Sequence, residues 1–286
     1  MGSDTTTGKA EHEAPLSLWG KVLRELKEWA VTLAVFIPLF FLFSMIFYEQ
    51  RVIPSESMVP NLRVGDRVAV SKFSYGYGRY SIPWGIGRWL PLGDGRIFAS
   101  DPERGDVAVF MHPHFNRVMI KRVIGLPGDR VVFRGEQMYL NGEAVQTDFV
   151  RTIRYVAHDP RGPRLSSEYR ETFGDRSWLI HQYDDRGRLD NTFEFVVPEG
   201  HLLFIGDNRD NSTDGRETTG HCSPVNGVID RAGCPLDPRI DAERASIGFV
   251  PMDHLIGRAD TVILSFYRCR QEAGTECLSG RLWQGL

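Results

Sequence analysis

Lysine is nearly missing from most of this chain. Of its 286 residues 34 are basic, five of them lysine and 29 arginine, and only Lys72 and Lys121 lie beyond residue 27. A guanidinium does not lose its proton inside a protein, whereas a buried amine can, so a lysine kept in an apolar setting calls for a chemical reason. Cysteine is scarce as well. Cys222, Cys234, Cys269 and Cys277 all fall in the last quarter, and no C-x-x-C occurs, which argues against the usual zinc frameworks. Their even number and clustering favour disulfides; of three possible pairings, adjacency favours 222–234 with 269–277. Charge of one sign is not in excess either. With 34 basic against 37 acidic residues and a net charge of −3, there is no electrostatic case for a nucleic-acid partner. A hydrophobic share of 42% and a charged share of 25% exclude a disordered or collagen-like chain.

Charge disappears altogether between Glu28 and Glu49. The 20 residues 29–48, WAVTLAVFIPLFFLFSMIFY, hold none. A helix of that length spans about 30 Å, one hydrocarbon core. Trp29 and Tyr48 bracket the run as interfacial aromatics, and Pro38 within it is tolerated in lipid better than in water. The run is longer than the apolar part of a cleaved signal peptide, and no small-x-small site follows it. These features predict an uncleaved signal-anchor over 29–48. Residues 1–28 are then a cytoplasmic tail, and 49–286 lie outside the cytoplasm. Lysine and arginine flank both ends, so the orientation rests on cysteine usage.

Beyond the anchor, no helical period and no internal repeat is visible. Short alternating or β-branched runs at 63–73, 107–110, 117–125, 129–135, 137–145, 201–208 and 260–267 are separated by Gly, Pro and Asn turns. Asn141-Gly142 is a hairpin signal. The expected fold is mainly β, an antiparallel sheet domain after one transmembrane helix. Residues 146–200, polar and rich in Arg and Asp, are expected to form a smaller inserted subdomain. Residues 74–95, rich in Gly, Tyr and Trp, read as a loop.

Three blocks carry chemistry. In IPSESMVPNL (53–62), Pro54 and Pro60 preclude a regular helix, so Ser55 and Ser57 are displayed on a restrained turn. A serine nucleophile needs a base, but the surroundings of Ser57 are not the G-x-S-x-G elbow, and no histidine has a telling context. His112-Pro113-His114 lacks the nearby carboxylate or cysteine pattern of a metal site. Lysine is the alternative. In VMIKRVI (118–124), alternation puts Lys121 on one face with Met119 and Val123, and Arg122 on the other. Burial there lowers an amine's pKa from about 10.4, toward the neutral form that can deprotonate a serine. The third block, GDNRDNSTDGR (206–216), follows an apolar run and suits a hydrogen-bond network. Asp210, Ser212, Asp214 and Gly215 match half of an EF-hand loop. The twelfth position is His221 rather than Glu, and flanking helices are missing, which excludes calcium.

In this order after an anchor, the three blocks resemble bacterial signal peptidase I, as do Gly248-Phe-Val-Pro251 and Gly257-Arg-Ala259. The resemblance implies Ser57 as acylating nucleophile and Lys121 as general base. Ser55 would donate its hydroxyl to the oxyanion beside the N–H of Ser57. Ser212 would orient the lysine amine, with Asp207, Arg209 and Asp214 bracing the loop. Ile53, Leu62 and Ile120 match positions lining shallow pockets for small side chains. Implied with these are cleavage after Ala-x-Ala-like sites in exported preproteins, attachment to the lipid bilayer at the outer face of the inner membrane, and no cofactor or metal. Self-cleaving repressors share the serine–lysine dyad but carry a DNA-binding domain where this chain has an apolar run. Three departures from the family stand out. Glu56 replaces the glycine often found between the two serines, the 31 residues 217–247 are extra, and there is one membrane span where some relatives have two.

Overall fold

The computed structural model describes residues 18–82, 87, 89, 95–156, 163–183, 187–240, 245–265 and 281–286. The chain divides into two units, residues up to Ser44 and Met45–Leu286.

The described part of the first unit is helical and belongs to α1, Leu18–Ile46, with Pro38 inside it. It is long and apolar enough to cross a membrane, and its apolar side chains stand exposed rather than packed. Its bounds differ from the uncharged run. It starts eleven residues before Trp29, because KVLRELKE is built of good helix formers with an Arg24–Glu28 pair one turn apart at 3.9 Å. It stops at Ile46, and Tyr48 opens the first strand instead of closing the helix.

The second unit is β. Its strands are β1 (Tyr48–Val52), β2 (Asp66–Ser71), β3 (Val107–Met111), β4 (Val118–Gly125), β5 (Arg130–Arg134), β6 (Gln137–Leu140), β7 (Glu143–Ala144) and β8 (Gln146–Val156). There follow β9 (Pro163–Phe173), β10 (Arg176–Gln182), β11 (Glu194–Val196), β12 (His201–Ile205), β13 (Val228–Ile229), β14 (Phe249–Pro251), β15 (Leu255–Ser265) and β16 (Leu282–Gly285). Beyond the end of α1, helical structure among the described residues of this unit is confined to short 3-10 turns.

The main sheet runs β1-β2-β15-β3-β4-β12-β14, antiparallel throughout, with β16 added to β15. Register shifts along β15 let one strand serve β3 near its start and β2 farther on. That strand begins at Leu255, five residues ahead of the expected run, because Leu255 and Ile256 are buried core residues. Strands β13-β11-β5-β6-β7 form a second sheet, and β10-β9-β8 a third. At the β6–β7 turn Asn141 and Gly142 both have positive φ, as a tight hairpin requires.

Within 146–200, residues 146–182 build the three-stranded sheet, while β11 joins β5. This segment does not close a core of its own. Trp178 and Ile180 from β10 pack with Ile124, Val131, Phe133, Phe195, Leu203 and Phe249 from the other two sheets. A second cluster, Ile53, Met58, Leu62, Val68, Val70, Val107, Val109, Ile256 and Val262, lies beneath the turn that carries Ser57. Burial of these apolar side chains holds the turn against the sheet.

Candidate active site

The turn between β1 and β2 is fastened at both ends. Ile53 N–H donates to Asp66 O at 2.9 Å, Gly65 N–H to Ile53 O at 2.9 Å, and Leu62 N–H to Met58 O at 2.8 Å. Met58 and Leu62 are wholly buried, so residue 57 sits at the edge of a packed plug. Ser57 is 8% exposed and Ser55 is open to solvent, with 3.3 Å between their hydroxyl oxygens.

Lys121 reaches this turn from β4. Its Nζ is 2.5 Å from Ser57 Oγ and 3.2 Å from Ile120 O, and the residue is 3% exposed. Burial pulls the amine down to a pKa of about 8; Asp214 and Asp207 oppose that, while Arg117 and Arg216 assist it. About a tenth of the amine is therefore neutral at pH 7 and about half at pH 8, beside a hydroxyl that the neutral form can deprotonate.

The loop after β12 closes on the other side. Asn208 N–H donates to Ser57 O at 3.1 Å, and Asn208 Nδ2 to Glu56 O at 3.1 Å. Asp207 takes a two-pronged bond from Arg122, both at 2.7 Å, and a third from Asn61 at 2.7 Å. Arg209 is 2% exposed and pairs with Glu171 of β9 through two contacts of 2.5 Å. Asp214, fully buried, accepts from Gly206 N–H at 2.9 Å, from Arg216 N–H at 3.1 Å and from the Arg216 guanidinium at 3.0 Å on each oxygen, so each carboxylate oxygen already takes two donors. Gly206 is required by close approach: a Cβ there would lie 2.2 Å from Ser212 Oγ and 2.5 Å from Ser57 O.

Two expectations need correction. Ser212 is brought to the site, but its Oγ is buried without a hydrogen-bond partner. Its expected bond to the lysine amine is not made, because Nζ is turned toward Ser57 and the Ile120 carbonyl. Ile53 and Leu62, at 2% and 0% exposed, are sealed inside the core rather than lining an open pocket. Ile120, Val118 and Tyr80 are the partly exposed apolar residues on that cluster. Sequence reasoning placed Arg122 on the structural face, yet missed Asn61, Asn208 and Glu171. Nothing in the polar run of β9 distinguishes Glu171 from its exposed neighbours.

A family model described as signal peptidase, peptidase S26, matches residues 26–264. The chain belongs to this family. It is a serine endopeptidase. Among its relatives, the signal peptidase I of Rickettsia felis is 31% identical over 246 residues, covering 84% of this chain and 79% of that protein. The signal peptidase I of Pseudomonas aeruginosa is 34% identical over 221 residues, covering 76% of this chain and 65% of that one. A solved signal peptidase I from Enterococcus faecalis V583 is 22% identical, covers 56% of this chain and 97% of that one, and has a TM-score of 0.28.

Against the rest of this S26 peptidase, the two unusual features take definite positions. The Glu56 carboxylate accepts from Asn211 Nδ2 at 3.2 Å, so it faces the 206–216 loop. The 217–247 segment is stapled by a Cys222–Cys234 disulfide. It returns to the loop through Ser246, whose hydroxyl donates to Asp214 O at 2.8 Å and Glu217 O at 3.1 Å. Cys269 and Cys277 lie outside the described residues.

Proposed function

We propose that this chain removes signal peptides from exported preproteins, with Ser57 as nucleophile and Lys121 as general base. The observation that carries the reading is the 2.5 Å approach of Lys121 Nζ to Ser57 Oγ in a buried setting. In this mechanism the neutral amine takes the hydroxyl proton as Oγ attacks the scissile carbonyl. The N–H of Ser57 and the hydroxyl of Ser55 meet the developing oxyanion. The ammonium then returns its proton to the leaving amine, and the freed base activates water to hydrolyse the acyl-enzyme. Asp207, Arg209 and Asp214 hold the loop that backs this pair. Ile120 with Val118 and Tyr80 offers a shallow apolar surface, which suits the small side chains of an Ala-x-Ala-like site.

The apolar helix α1 serves as the membrane anchor in this reading, and the β unit lies on the outer side of the inner membrane. Support for that side comes from the Cys222–Cys234 disulfide, which persists in oxidising compartments.

Purified full-length protein in detergent, assayed on a preprotein, tests the chemistry. Ser57→Ala and Lys121→Arg each abolish cleavage while keeping the circular dichroism of the fold, because guanidinium stays protonated. Wild-type kcat/KM falls about tenfold per pH unit below an acid limb near 8. Folded Lys121→Arg protein with near-normal turnover would overturn the dyad.

A further inference from the structure

The Ser57 turn is gripped from a direction that the dyad does not explain. Arg281, which precedes β16, is far from the turn in sequence, yet its side chain is only 9% exposed. One arm of its guanidinium, Nη1, donates to Asn61 O at 2.7 Å; the other, Nη2, pairs with Asp66 Oδ2. Asp66 is fully buried, and the same Oδ2 accepts the Arg63 N–H at 2.8 Å. A single side chain therefore ties residue 61 to residue 66, across the stretch that leads from the nucleophile back into β2.

Asn61 makes this more than a local staple. While its carbonyl receives Arg281, its side-chain amide donates to Asp207 Oδ2 and to Leu179 O, both at 2.7 Å. Asp207 in turn holds Arg122, the neighbour of Lys121, and Asn208 N–H holds Ser57 O. Arg281 thus fixes the residue through which the turn is registered against both the lysine strand and the 206–216 loop. A guanidinium suits this task because its rigid planar fork carries separate nitrogens, one for the carbonyl and one for the carboxylate, at a fixed spacing.

We propose that Arg281 is a positioning residue for the Ser57 turn, setting the nucleophile against its base through the Asn61 backbone and the Asp66 carboxylate. The proposal rests on Ser57 being the nucleophile. Its effect falls on the chemical step, since Arg281 binds the turn rather than the substrate. Small misplacements of reacting groups cost rate steeply, and loss of Arg281 is expected to slow acylation about 10- to 100-fold.

The experiment measures labelling of full-length protein in detergent by a fluorophosphonate probe, with kcat and KM on a preprotein and the melting midpoint alongside. It is run at a temperature where near-ultraviolet circular dichroism shows every variant folded. Arg281→Ala is expected to label about 10- to 100-fold more slowly and to lose kcat in proportion, with KM within about twofold. Added guanidinium ion, which can enter through the cleft that Asn61, Arg281 and Gln284 line, restores labelling in Arg281→Ala and leaves wild type unchanged. Should Arg281→Ala not fold, Arg281→Gln carries the test, since it fills the space and loses the charged fork. A folded Arg281→Ala or Arg281→Gln protein that labels at the wild-type rate, with only a lowered melting midpoint, overturns the proposal. Ser57→Ala is the separate control. Labelling that survives in it would defeat the nucleophile assignment itself.

Discussion

Lys121 is kept reactive by the same burial that works against folding. Its amine titrates near 8 in the folded protein and near 10.5 when exposed. Below about 8, folding must bury a charge or strip a proton, and that penalty is fully present. As pH rises from 8 to 10.5 the unfolded chain loses the same proton, and the penalty vanishes. Lys121→Met should therefore be inactive but more stable at pH 7, by up to about 3 kcal/mol, with the gain shrinking above pH 8. Thermal unfolding followed from pH 6 to 10.5 checks both the sign and the window. The residue was legible in sequence because its rarity and its apolar neighbours are local facts. The direction of Nζ, which bypasses Ser212, was not. That depends on where a distant loop sets a carbonyl, and no spacing in the chain encodes it.

Among the elements, the 206–216 loop depends on buried ion pairs from strands remote in sequence. Arg209 with Glu171 joins it to β9, and Asp207 with Arg122 joins it to β4. Removing one partner of such a pair leaves an uncompensated buried charge. Glu171→Gln is expected to cost about 3 kcal/mol or more in urea unfolding and to reduce cleavage, although Glu171 is no part of the proposed chemistry. Unchanged stability would mean that Asp207 and Asp214 alone compensate Arg209. Central strands such as β3, β4 and β12 could be read from their apolar runs. The 11-residue strands β8 and β9 could not, because a half-exposed strand rich in Arg, Glu, Ser and Thr carries little hydrophobic alternation. The extent of α1 differs from the uncharged run for a related reason. Absence of charge marks what lipid tolerates, while the helix continues as far as propensity and pairing allow.

At the scale of the molecule, acid should be the weak side. Burial lowers His112 and His221 to pKa values of about 4; nearby His114 adds to this at both, and Arg117 and His254 at His112. Both rings fold neutral. In the unfolded chain they charge below about 6.5. Stability of the β unit should hold above pH 6.5 and fall as pH drops from there toward 4. Melting midpoints across that range check it, and His221→Phe, which keeps an aromatic ring against Phe195 and Phe249, should flatten the fall.

The scarcity of lysine has one more consequence once burial is known. Lys72, at 1% exposed, is salt-bridged to Glu49 at 3.2 Å, and Lys121 is shut against Ser57. From residue 28 onward, then, the folded chain has no ammonium group on its surface. Among the described residues, amine-directed reagents find exposed targets only at Lys21 and Lys27 of α1, so coupling to a support through them tethers the molecule by that helix. The slow-reacting amine that remains beside a serine is then singled out by its seclusion, and an acylating agent small enough to reach it would mark the site without touching the surface around it.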